Sequence, residues 1–103
     1  MLIHLENKEQ FKEVVSKGVT LVDFFATWCG PCRMLTPELE KLAEKDQTIN
    51  VLKVDVDEFQ ELAAQFNVRA VPTLVLFKDG QVVTTGSGFR PLASLEQFVS
   101  QAK

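Results

Sequence analysis

The chain has 103 residues, 46% of them hydrophobic and 24% charged, and its eleven basic and fourteen acidic side chains leave a net charge of −3. This length fits a single domain over 1–103, with enough apolar sequence to form a core without a disulfide scaffold. No basic patch favours nucleic acid or an anionic lipid surface, and no apolar run approaches the roughly 20 residues of a membrane helix.

The opening residues, MLIHLE, carry no basic segment followed by a long apolar stretch. No secretory signal is expected, and the expected compartment is the cytoplasm, where disulfides tend to be transient and catalytic. Leu2 to Leu5 reads as a short strand. Asn7 suits a helix N-cap with Gln10 in the capping-box position, and the following Phe11, Val14 and Val15 make an apolar stripe that Gly18 ends. Thr20 to Ala26 (TLVDFFA) is nearly continuous apolar sequence, as in a strand buried on both faces.

A helix is predicted from Pro31 to about Lys45, with Met34, Leu35, Leu39, Leu42 and Ala43 as its apolar positions and Pro37 as a kink. Asn50 to Val56 reads as a second inner strand, and Asp57 as the cap of a helix from Glu58 to Phe66. Thr73 to Lys78 and Gln81 to Thr85 form a hairpin about Asp79-Gly80. Gly86 and Gly88 fall in a loop, Pro91 suits a first helical position, and Leu92, Leu95, Phe98 and Val99 face the core from the last helix. The order β-α-β-α-β-α-β-β-α makes an α/β fold, with parallel early strands, an antiparallel late hairpin and helices on both faces of one sheet.

The only two cysteines stand at Cys29 and Cys32, beside the only tryptophan, Trp28, where a strand gives way to a helix. Positions three apart lie one turn apart on one helix face, about 5 to 6 Å between Cα atoms, so the pair can close and open with little backbone movement. As a staple it would close too small a loop to stabilise much. A metal needs about four ligands, and the one histidine, His4, lies far away at the N-terminus, which leaves only a site shared between two chains. Redox exchange fits the position better. Cys29 precedes Pro31 at the mouth of the helix, where free N–H groups and the positive dipole end stabilise a thiolate. Cys29 is therefore the candidate nucleophile, and Cys32, one turn inside, the candidate resolving thiol. Gly30 and Pro31 bring no charge, which favours a reductant. Arg33 adds positive potential there or is simply a solvated helix residue.

The segment Phe24 to Cys32, FFATWCGPC, resembles the active-site motif of the thioredoxin family. Asp23, Pro37, Lys53, Val71-Pro72-Thr73, Gly80 and Gly88 also fall where that family carries the corresponding residues. Many members have a second tryptophan where this chain has Phe25, a departure expected to affect packing and fluorescence more than chemistry. The resemblance implies a thioredoxin fold, a central mixed five-stranded sheet flanked by four helices. It implies a protein-disulfide reductase that supplies electrons to diverse target proteins through the redox-active Cys29–Cys32 disulfide. The chain shows no nucleotide-binding glycine motif and is expected to bind no cofactor, and nothing in it suggests an obligate dimer, so a monomer is the expectation. Recharging would come from thioredoxin reductase, an NADPH-dependent flavoenzyme. Two alternatives stand beside this: a disulfide oxidase or isomerase of the same fold, and a non-enzymatic scaffold or processivity subunit.

A carboxylate inside TLVDFFA is costly unless paired or neutral. Burial would raise the pKa of Asp23 and make it the candidate acceptor of the Cys32 proton, the alternative being a solvated strand-end aspartate. By resemblance Lys53 lies near Asp23 and moderates its pKa, although an exposed lysine fits the sequence equally. By resemblance the Val71–Pro72 bond is cis and the Val71 backbone pairs with an extended substrate. Trp28, Gly30, Pro31, Val71, Pro72, Thr73 and Gly88 are then the expected substrate-binding residues, with Trp28, Pro31, Val71 and Gly88 forming an apolar patch around the Cys29 sulfur.

Overall fold

The computed structural model describes residues 1–103. Nine elements follow in chain order: β1 (Leu2–His4), α1 (Lys8–Val15), β2 (Val19–Phe25), α2 (Gly30–Lys45), β3 (Ile49–Asp55), α3 (Gln60–Gln65), β4 (Thr73–Lys78), β5 (Gln81–Ser87) and α4 (Leu92–Ser100). The strands form one mixed sheet in the order β1-β3-β2-β4-β5. β1, β3 and β2 run parallel, and β4 and β5 are antiparallel to their neighbours. This is the thioredoxin fold expected from the sequence.

β2 and β3 are inner strands, and helices cover both faces of the sheet, which is why their sequences are apolar on both faces. Odd-numbered Leu21 of β2 joins Leu35, Leu39 and Leu42 of α2 and Leu95, Phe98 and Val99 of α4 in one core. Even-numbered Val22 and Phe24 join Phe11 and Val15 of α1 and Leu62 and Ala63 of α3 in the other. The alternation along one strand thus sends successive side chains to opposite helical layers. Asp23 belongs to the α2 side of β2 by the same rule.

Several local expectations are met. The Asn7 side chain accepts the Gln10 N–H at 2.9 Å, capping α1. The Gln10 side chain reaches back to the N–H of Glu6 rather than that of Asn7. Asp79 and Gly80 both have positive φ, 49° and 83°, as a two-residue hairpin turn requires. That turn docks on the end of α1, with the Gly80 N–H donating to Val15 and the Asp79 N–H to Gly18.

Four expectations are corrected. Met34 is 62% exposed and is no part of the core. At about 100° per residue it points away from the arc that Leu35, Leu39, Leu42 and Ala43 share. Asp57 does not cap α3. The N-cap is Phe59, with no side-chain cap, while Asp55 Oδ1 takes the N–H groups of Asp57 and Glu58. Pro91 is the N-cap of α4 rather than its first residue, and the free Leu92 N–H donates to Glu38 Oε1 on α2 at 2.9 Å. Gly86 lies within β5, opposite Leu74, rather than in a loop.

Candidate active site

β2 ends at Phe25, and the chain turns through Ala26, Thr27 and Trp28 into α2. Arg33 braces this turn, its Nε and Nη2 both donating to the Thr27 carbonyl. Cys29 is the N-cap of α2, with an extended backbone (φ −91°, ψ 118°). Its Sγ occupies the place a capping oxygen takes elsewhere and accepts the Cys32 N–H at 3.2 Å. Cys29 and Cys32 form a disulfide with Cα atoms 5.2 Å apart, within the expected range. The two are 5% and 2% exposed, with Cys32 one turn inside the helix.

The loop before β4 supplies the facing wall. The Val71–Pro72 peptide bond is cis, and the Val71 carbonyl oxygen lies 3.7 Å from Cys29 Sγ. The Gly88 N–H donates to the Pro72 carbonyl at 2.9 Å, tying the end of β5 to this loop. The Thr73 hydroxyl donates to the Ala70 carbonyl. Trp28 is 68% exposed, and its Nε1–H donates to Asp57 Oδ2 at 3.0 Å. A shallow, largely apolar groove runs beside it, lined by Trp28, Val56, Val68, Arg69, Ala70 and Val71. Gly30 and Pro31 are exposed at the mouth of α2. His4 is exposed on β1, and no cluster of three or more metal-ligating side chains exists.

Behind the disulfide, Asp23 and Lys53 stand opposite one another in the register of β2 and β3. Asp23 is fully buried, Lys53 is buried, and Lys53 Nζ lies 3.6 Å from Asp23 Oδ2. Neither Asp23 carboxylate oxygen has a hydrogen-bond partner within the protein. Burial pushes the Asp23 pKa up from 3.8 to about 6, against the opposing pull of the Lys53 charge. Both residues are therefore interior, not the solvated alternatives. Phe25, the departure from the family pattern, sets its ring 4.5 Å from Lys53 Nζ.

Two residues in these contacts are not visible as site residues in the sequence. Asp57 reads there as a helix cap. Thr36, half-buried on α2, accepts from Lys53 Nζ at 2.6 Å and donates to the Cys32 carbonyl at 3.2 Å. The spacing of Thr36 four residues after Cys32 is the signal available for it, since a helical threonine can back-bond to the carbonyl one turn earlier.

The family model described as Thioredoxin matches residues 2–101. A Bacillus subtilis thioredoxin is 43% identical over 102 residues, covering 98% of each chain. A Chlamydia trachomatis thioredoxin is 42% identical over 100 residues, covering 97% of this chain and 98% of that one. Among solved structures, a mutant thioredoxin from Halobacterium salinarum superposes with a TM-score of 0.92 at 41% identity, covering 99% of this chain and 91% of that one.

Proposed function

The chain belongs to the thioredoxin family and is a thiol–disulfide oxidoreductase that reduces protein disulfides, and we propose that Cys29 is its nucleophile, Cys32 its resolving thiol and Asp23 the acceptor of the Cys32 proton. The observation that carries this reading is the hydrogen bond from the Cys32 N–H to Cys29 Sγ at the start of α2. A sulfur at an N-cap receives an N–H and the positive end of the helix dipole, both of which favour the thiolate.

In the reduced protein the Cys29 thiolate attacks one sulfur of a target disulfide. A mixed disulfide forms, and the second target sulfur leaves as a thiolate that takes a proton from solvent. Cys32 gives its proton to Asp23 through a water and attacks Cys29 Sγ. The Cys29–Cys32 bond closes, and the remaining target sulfur leaves as a thiolate and is protonated. Two electrons pass to the target. An acceptor with a pKa of about 6 is largely ionised at neutral pH and close enough to neutrality to exchange protons readily. Lys53 moderates that acceptor from 3.6 Å.

The substrate face in this reading consists of Trp28, Gly30, Pro31, Val71, Pro72, Thr73 and Gly88. The Val71 carbonyl, 3.7 Å from Cys29 Sγ, is the backbone group for an extended target segment to pair with, and the groove beside Trp28 takes its apolar side chains. Membership of the family implies disulfide-containing targets and a reductase partner. The finer assignments are an NADPH-dependent flavoenzyme as reductase, electron transport in the cytoplasm, a monomer acting as one domain, and no bound cofactor beyond the disulfide itself. No helix is long and apolar enough to cross a membrane.

The roles are tested by trapping. Cys32→Ser should accumulate a mixed disulfide between Cys29 and a model disulfide protein, visible as a mass shift that dithiothreitol removes. Cys29→Ser should accumulate none. A mixed disulfide on Cys32 in the Cys29→Ser protein, at the rate seen for Cys32→Ser, would reverse the assignment.

A further inference from the structure

The Lys53 ammonium has more than one claimant. It lies 3.6 Å from Asp23 Oδ2, 4.5 Å from the centre of the Phe25 ring and 2.6 Å from Thr36 Oγ1. Only the last is within hydrogen-bond distance. The Thr36 hydroxyl has one proton, and that proton is directed to the Cys32 carbonyl at 3.2 Å. Its lone pairs are therefore left to face Lys53. We propose that Thr36 is a positioning residue: its hydroxyl, oriented by the Cys32 carbonyl, holds the Lys53 ammonium off the Asp23 carboxylate and so keeps Asp23 a competent proton acceptor.

The inference rests on the reading of Asp23 as that acceptor. A buried ammonium seeks acceptors, and without the Thr36 hydroxyl the remaining anionic acceptor beside it is Asp23. The ion pair would then close from 3.6 Å toward a normal charge-assisted hydrogen-bond length, and a tighter cation favours the ionised carboxylate. No other charge competes in this position. Across β3 the group opposite Asp23 is Lys53, and across β4 it is Leu74. At the start of α2 the ionisable groups are the two thiols joined in the disulfide and Arg33, which is exposed and turned to the Thr27 carbonyl. Thr36 also links the ammonium to the backbone of the resolving cysteine.

The test is the titration of the Asp23 side-chain carboxyl by carbon NMR in the oxidised full chain, for the parent, Thr36→Val and Thr36→Ser. Valine keeps the branched shape without the hydroxyl, and serine keeps the hydroxyl. The expected result for Thr36→Val is a midpoint lower by on the order of one pH unit, the effect of drawing an ion pair in to about 2.8 Å at an effective dielectric of about 20. Thr36→Ser should retain the parent midpoint. An unchanged or raised midpoint in Thr36→Val overturns the proposal, and so does an equal shift in both variants, which would assign the effect to packing. The pH profile of mixed-disulfide release should move with the midpoint in Thr36→Val. Failure of the underlying reading looks different: Asp23→Asn would leave the release profile of the parent unaltered, whatever the NMR midpoints do.

Discussion

Replacing Asp23 by asparagine should change how stability depends on pH more than it changes the fold. Asparagine approximates the protonated carboxyl in size and polarity. In the folded protein the carboxyl gives up its proton at a pH of about 6, because burial penalises the charge more than Lys53 favours it, against 3.8 for an ordinary aspartate. Between those values the folded state holds a proton that the unfolded chain has lost. Its stability is therefore full below about 3.8, falls as pH rises through the window, and stays reduced above about 6. A gap of about two pH units at ~1.4 kcal/mol per unit comes to about 3 kcal/mol. Urea unfolding of both oxidised proteins, followed by circular dichroism between about pH 4 and about pH 8, isolates this contribution, because every other carboxylate cancels in the difference. The Asp23→Asn variant should gain on its parent by about 3 kcal/mol across the range. A difference that stays constant with pH would refute the argument, whatever its absolute size, and would mean that Asp23 titrates in the fold as it does in the unfolded chain.

Two further predictions concern packing and the groove. Leu39→Ala, at a fully buried position between α2 and the sheet, should destabilise by about 2–5 kcal/mol in urea unfolding; a loss under about 1 kcal/mol would show that this core collapses into the space. Asp57→Ala removes the acceptor of the Trp28 Nε1–H at 3.0 Å and should lower the fluorescence anisotropy of the only tryptophan, with stability changed by less than about 1 kcal/mol. Unaltered anisotropy would show that other contacts hold the ring.

The elements were legible because each long segment carries one clear period or none. TLVDFFA and NVLKVDV have the near-continuous apolar character of strands covered on both faces, and the helix from Pro31 shows a stripe at Leu35, Leu39 and Leu42. The disulfide pair was legible because its geometry is local: three residues on one helix fix the separation. What the sequence concealed were competitions between distant groups. Asp57 has the chemistry of a cap, but Asp55 takes the nearby N–H groups and Trp28, 29 residues away, takes the Asp57 carboxylate. Met34 could have been excluded by the angular arithmetic of its own helix. The back-bond of Thr36 to Cys32 has a local signal in its spacing, but its contact with Lys53 has none, since that contact spans 17 residues and depends on how α2 lies across β3.

Asp23 and Lys53 show why a residue-by-residue reading stops short here. Each breaks the apolar pattern of its own strand, and each taken alone has an ordinary explanation at a solvated strand end. The register places them opposite one another on adjacent inner strands, and no other ion pair in the protein is buried on both sides. A pair put there for stability alone would be closed and fully hydrogen-bonded, because an open buried pair regains too little of its desolvation cost. This one is open by 3.6 Å, its carboxylate lacks hydrogen bonds, and its ammonium is turned toward a hydroxyl that also binds the backbone of Cys32. The only other buried side-chain polar atom without a partner is Arg90 Nε, on a guanidinium that lies over the Phe98 ring. An unpartnered carboxylate beside an open buried ion pair is the kind of local conflict that marks a site kept for its chemistry. Here a buried carboxylate is left close to its own titration point, as the proposed acceptor of the Cys32 proton requires.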